Sequence, residues 1–132
     1  MIGALVVTHG HLGHELVAAA EMIVGEIPQI QAVSIGWHDD VNDAQQDIEK
    51  RLIEIDRGSG VLILTDMFGG TPSNIAFSFH NPGKVDVVTG VNLPMIIKIV
   101  SQKEGDTLES LSRIVREQGR ASIASASDFL NV

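Results

Sequence analysis

Two short stretches carry residue types that could do chemistry. In Thr8-His9-Gly10-His11-Leu12-Gly13-His14, a histidine directly follows an apolar run. In Thr65-Asp66-Met67-Phe68-Gly69-Gly70-Thr71-Pro72, an acid and two glycines do the same. A neutral imidazole nitrogen is a good nucleophile near neutral pH. Asp66 could accept a hydrogen bond from the other ring nitrogen of His9, fix the tautomer and balance positive charge as the ring reacts. Backbone amides at Gly69, Gly70 and Thr71 could hold an anion. Together these suit a phosphoryl group carried on His9. Taken singly each has a plainer reading, a structural histidine at a strand end and an aspartate in a tight turn.

The elements that must position these residues follow from the apolar pattern. Ile2 to Val7 reads as a strand apolar on both faces, hence central in a parallel sheet. Leu12, Leu16, Ala19, Ala20 and Ile23 lie at helical spacing on one face of the next element, which Gly25 stops. Ile30 to Ile35 reads as strand two. Val41, Ala44, Ile48, Leu52 and Ile55 form the stripe of a second helix. Strand three starts after Gly60. Thr71-Pro72 reads as an N-cap with proline at the first helical position, opening a short helix to about Phe79. Lys84 to Thr89 is strand four. Gly90-Val91-Asn92-Leu93-Pro94 opens a helix through Val100, and Asp106-Thr107-Leu108-Glu109 opens a last one ending near Gly119. Ala121 to Ala126 reads as a short terminal strand.

Strictly alternating strands and helices predict an α/β, flavodoxin-like doubly wound domain over residues 1–132, mostly parallel. With strand order 2-1-3-4, the topological switch point falls between strands one and three. The His9 and Asp66 loops then meet there.

Composition excludes several classes. The chain has 132 residues, no cysteine and a formal charge of −8. Disulfides, thiolate metal sites and thiol catalysis are therefore absent. The acidic balance argues against nucleic acid and favours a basic partner surface. The apolar N-terminal run lacks a basic flank and is too short to span a bilayer, so a cytoplasmic protein is expected. Neither G-x-x-x-x-G-K-[ST] nor G-x-G-x-x-G occurs, which argues against nucleotide triphosphate and dinucleotide sites. No cofactor is expected.

Three motifs in order, Val7-Thr8-His9-Gly10, Thr65 to Pro72 and Gly90-Val91-Asn92-Leu93-Pro94-Met95, give a chain that resembles the IIA domain of the mannose-type bacterial phosphotransferase system. The likeness spans nearly the whole chain. It implies that His9 is the phosphorylated histidine, accepting phosphate from phospho-HPr and passing it to a sugar-specific IIB protein, and reaching the membrane only through IIC and IID components. Asp66 would be the acid that orients the histidine, and Thr71 stands where the family has Ser or Thr near the phosphate. The resemblance also implies a homodimer that exchanges its C-terminal strand. Phe68 stands where some members carry Trp, a difference expected to alter partner fit. With no trailing IIB domain in this chain, a separate IIB chain is expected to be the acceptor. An incomplete system, in which phosphorylation state is itself the signal, is the alternative. A phosphotransferase subunit serving dihydroxyacetone kinase has a similar start, but the 66–72 run is closer to the mannose type.

A competing class is a metal site built from His9, His11, His14 and Asp66. Their spacing matches no standard helical zinc pattern, and His11 and His14 fit solvated positions around a helix start, where His11 could touch a partner. Trp37 beside His38 is either a docking anchor on the functional edge or packing over the nearby helix.

Overall fold

The computed structural model describes residues 1–130. Four strands, β1 (Gly3–His9), β2 (Ile30–Ile35), β3 (Val61–Thr65) and β4 (Val85–Thr89), form one sheet in the order β2-β1-β3-β4. Every pairing is parallel. Between and after them run α1 (Leu12–Val24), α2 (Val41–Ile55), α3 (Thr71–Phe77), α4 (Leu93–Val100), α5 (Leu108–Ala121) and α6 (Ser127–Leu130). The flavodoxin-like α/β class and the expected strand order both hold.

The central strands are apolar on both faces because helices cover both faces. Ala4, Val6, Leu62 and Leu64 point into one core layer with Val17 and Ala20 of α1, Ile96 and Ile99 of α4, and Leu111 and Val115 of α5. Leu5, Val7, Val61 and Ile63 point into the other, against Ile48 and Leu52 of α2 and Ile75 and Ala76 of α3. The alternation carries through to the end of β1. Thr8 falls on the α1 side of the sheet, and His9 on the α2–α3 side.

Local signals set most boundaries. Asp40 caps α2, its carboxylate accepting from the amides of Asn42 and Asp43. Asn92 caps α4 by accepting from Met95 N. Thr107 and Ser110 form a reciprocal capping box at α5. Four expectations shift. His9 is the last residue of β1, so the first strand runs from Gly3 to His9. The inward line of α1 runs through Gly13, Val17 and Ala20 with Leu16 half-buried, while Leu12 and Ile23 are exposed. The reason is close approach. A Cβ on Gly13 would lie 3.2 Å from Val6 O and from Thr8 Oγ1, so the glycine face turns to the sheet. Helix α3 is capped by Gly70, not Thr71. Finally, the segment after α5 forms no strand within the chain. Residues 122–126 are exposed and lead into α6; Ile123 is their one large apolar side chain, and the serines and alanines around it give too little apolar surface to bury as a strand on their own sheet. Among the described residues, no helix is long and apolar enough to cross a membrane.

Gly3 shows how tightly the layers meet. A Cβ there would collide with the Ile55 side chain, and would lie 3.1 Å from Ile55 O. Overpacking of this kind costs about 1–3 kcal/mol. Gly3→Ala is expected to lower the unfolding free energy by that amount, seen as a lower urea midpoint with an unchanged slope; an unchanged midpoint would mean that α2 moves away freely.

Candidate functional site

The site begins where two strands end at different heights. Val7 pairs with Thr65, the last residue of β3, but β1 continues through His9, which still pairs with Ile35 on its other side. The His9 amide therefore points past the end of β3, where no strand carbonyl meets it. The Asp66 side chain takes that place. Its Oδ2 accepts from the His9 amide at 3.0 Å and from His9 Nδ1 at 2.7 Å. One carboxylate oxygen thus holds both the backbone and the ring of the histidine.

Asp66 is mostly enclosed, with its side chain 11% exposed, whereas that of His9 is 51% exposed. Burial alone would raise the Asp66 pKa. The hydrogen bonds from the His9 ring and amide, attraction to the ring, and a bond from its own amide outweigh burial and hold it below its ordinary 3.8. Asp66 is therefore a carboxylate at neutral pH and can only accept. His9 Nδ1 must then carry the hydrogen, which leaves the lone pair of the neutral ring on Nε2.

Nε2 faces the glycine turn. A Cβ on Gly70 would lie 3.3 Å from His9 Nε2 and 3.2 Å from Cε1, so a side chain at this position would crowd the reactive edge of the ring. Gly70 also holds φ at 85°, a conformation that suits glycine. The amides of Gly69, Gly70 and Thr71 make no backbone hydrogen bond among the described residues. They are donors without a backbone partner, in the turn whose Gly70 lies against the Nε2 edge of the ring.

The structure separates the histidines. His11 and His14 turn toward β2, where Nδ1 of each meets Ser34 Oγ, at 3.3 Å and 2.9 Å. Their rings pack edge to face with centroids 5.8 Å apart. The set His9, His11, His14 and Asp66 does not converge, and no cluster of three or more metal-ligating side chains occurs among the described residues. Trp37, in the turn after β2, is 93% exposed, so it does not pack over α2. Phe68 is 78% exposed, its ring tilted against that of Phe77 with centroids 6.0 Å apart. Both stand at the carboxyl edge of the sheet, as His9 does.

Sequence reasoning missed the buried hydroxyls behind the loops. Thr8 and Ser73 are fully buried, and each bonds to the backbone of a site loop. A hydroxyl at the end of a strand otherwise made of apolar residues was the available signal for Thr8.

Comparison with known proteins bears on this arrangement. Residues 3–115 match the EIIA-man family, described as PTS system fructose IIA component. The chain belongs to this family. It is 30% identical over 131 residues to the fructose-specific EIIA component of Bacillus subtilis, covering 98% of this chain and 90% of that protein. It is 32% identical over 129 residues to the mannose-specific EIIAB component of Escherichia coli, covering 92% of this chain but only 38% of that longer protein. The mannose/sorbose-specific IIA subunit from Enterococcus faecalis superposes with a TM-score of 0.83 at 29% identity, over 94% of this chain and 93% of that one. As an EIIA-man protein, the chain is a phosphocarrier of the sugar phosphotransferase system. The family role places a IIA component between HPr and a IIB component.

The depressed Asp66 pKa has a consequence for EIIA-man stability. A group whose pKa is lowered by folding adds stability that is complete above its unfolded pKa and lost as pH falls through the folded one. The wild type should exceed Asp66→Asn in stability by about 1 kcal/mol at neutral pH, the scale of one hydrogen bond. The margin should shrink as the pH drops below 3.8 and through the lower folded value. Denaturant unfolding of both proteins from pH 7 to pH 2 checks this, and a margin independent of pH would count against the carboxylate's role.

Proposed function

We propose that the chain accepts a phosphoryl group on Nε2 of His9 from phospho-HPr and passes it to a IIB component. The observation that carries this reading is the 2.7 Å bond from His9 Nδ1 to Asp66 Oδ2, which leaves Nε2 as the free nitrogen beside the glycine turn. The Nε2 lone pair attacks phosphorus, and a P–N bond forms. The P–N bond to the donor's histidine breaks, and its electron pair returns to the donor ring. The His9 ring gains positive charge in this step, and the Asp66 carboxylate, already bonded to Nδ1, balances it. Gly69, Gly70 and Thr71 hold the phosphoryl oxygens through amides that are already free and oriented. Transfer onward runs the same steps in reverse, with the IIB side chain as the nucleophile.

The exposure of His9 fits a group that must be reached by two other proteins in turn. Trp37 and Phe68 serve as apolar anchors on the same edge, with His11 beside them, and the charge of −8 suits a basic docking face. On this reading the protein works in the cytoplasm and meets the membrane only through IIC and IID components. It acts as a homodimer in which the segment after α5 crosses to the partner. Supporting that, β4 leaves one edge of the sheet open, and Ile123, Phe129 and Leu130 of the segment are exposed large apolar side chains.

Intact-mass spectrometry after incubation with phosphoenolpyruvate, enzyme I and HPr should show one acid-labile phosphate on the wild type and none on folded His9→Ala. Phosphate on the variant would move the site elsewhere. Asp66→Asn should slow acceptance by about 10²-fold or more, since an amide can present the wrong hydrogen-bonding partner to the ring. A normal rate would reduce Asp66 to a turn residue. Sedimentation should give a dimer at micromolar concentration, converted to monomer when the chain is cut after Ala121. A monomeric full chain would overturn the exchange.

A further inference from the structure

Only four polar side chains are classed as buried among the described residues: Thr8, Thr65, Ser73 and Ser112. Three of the four are fully buried hydroxyls bonded to the two loops of the site. Thr65 Oγ1 donates to Met67 O at 3.4 Å, in the turn that carries Asp66. Ser73 Oγ donates to Gly70 O at 3.3 Å. Thr8 Oγ1 accepts from Gly13 N at 2.8 Å and donates to Gly10 O at 3.4 Å. A buried hydrogen bond adds only about 0.5–1.5 kcal/mol net, although removing the hydroxyl would leave its backbone partner unsatisfied. Stability alone does not account for three such groups gathered under the same two loops.

We propose that Thr8 and Ser73 are positioning residues for His9, acting from beneath the two loops. The inference rests on the phosphocarrier reading of His9 and adds residues to it that touch neither phosphate nor partner. Thr8 lies on the opposite face of β1 from His9, so it cannot reach the reacting atoms. Its hydroxyl instead ties down the carbonyl of the left-handed Gly10, at φ 54°, that follows His9. Gly10 N donates to Ile35 O at 3.0 Å, so the residue after His9 is held at its amide from β2 and at its carbonyl from Thr8. The same hydroxyl takes the Gly13 amide, one of the orphan donors at the start of α1, where His11 offers no side-chain cap. On the other loop, Ser73 holds the carbonyl of Gly70, the residue at which a side chain would crowd the Nε2 edge of the ring. Thr8 thus sets the backbone that aims His9, and Ser73 sets the spacing between its ring and the glycine turn. Freed of either bond, the ring should sample orientations in which Nδ1 is no longer held by Asp66 and Nε2 no longer meets the free amides.

The test uses Thr8→Val, Thr8→Ser and Ser73→Ala in the full-length protein. Two readouts are needed: the rate of phosphoryl acceptance from phospho-HPr well below the unfolding temperature, and the ¹⁵N NMR spectrum of the His9 ring without phosphate. Thr8→Val should be slowed about tenfold, the order of loss when a well-placed reactive group loosens, while Thr8→Ser stays close to wild type. The ring spectrum of Thr8→Val should shift from one Nδ1–H tautomer toward a mixture. Ser73→Ala should show the same two changes, and it carries the test alone if Thr8→Val does not fold. A merely structural hydroxyl would lower the unfolding temperature and leave both the folded-state rate and the tautomer unchanged; that result overturns the proposal. Wild-type protein that takes no phosphate would instead overturn the phosphocarrier reading. The ring spectra would then still decide whether Thr8 and Ser73 position His9.

Discussion

Everything at the reactive edge depends on one carboxylate oxygen standing in for a missing strand. β1 outlasts β3, so the amide of His9 emerges with no neighbouring carbonyl to receive it. Asp66 Oδ2 receives that amide and the ring nitrogen of the same residue. A side chain that completes a backbone ladder is held by the ladder's own geometry, and the imidazole inherits that precision. The stagger of two parallel strands is thereby converted into the choice of which ring nitrogen is left free. The second Asp66 oxygen, Oδ1, is buried without a partner, so the bonds to His9 are what compensate the enclosure of this charge.

That stagger is maintained by two apolar layers. β1 and β3 are central and buried on both sides, and their side chains interlock with helices from both faces. Each large apolar side chain contributes about 1.5–3 kcal/mol when fully buried. Slipping one strand past the other would expose many of them together, so the offset between His9 and Asp66 is guarded by the whole core. Glycines fit at the points of closest approach, Gly3 against α2 and Gly13 against β1. Gly70 belongs to the same class, but what it admits is the ring of His9.

The site is rigid beneath and open above. His9 lies half exposed over a well-packed sheet edge, and the exposed aromatic rings of Trp37 and Phe68 share that edge. A phosphocarrier exchanges its group with other proteins and not with a small substrate in a cleft, and an open edge meets that need. Enclosure is left to the docked partner, which would shield the phosphoryl group from water during transfer.

The sequence by itself determined the order of elements from β1 to α5, the parallel class and the two loops whose side chains meet at the sheet edge. Those depend on local periods and turn residues: the apolar runs at Ile2–Val7 and Val61–Leu64, the glycine stops, and the proline at position 94 behind Asn92. It also named His9 and Asp66, because strand order 2-1-3-4 brings their loops to one switch point. The tertiary structure decided what the local pattern leaves open. Helix α1 is apolar over much of its circumference, so only contact with β1 could select Gly13 over Leu12 as the inward side. His11 and His14 sit close to His9 in sequence, yet they belong to Ser34 and β2. The free ring nitrogen follows from a bond between residues 57 positions apart, and the segment after α5 forms no strand among the described residues. Pattern and composition act over a few residues, whereas tautomer, stagger and packing face are fixed by surfaces that meet only when the sheet closes.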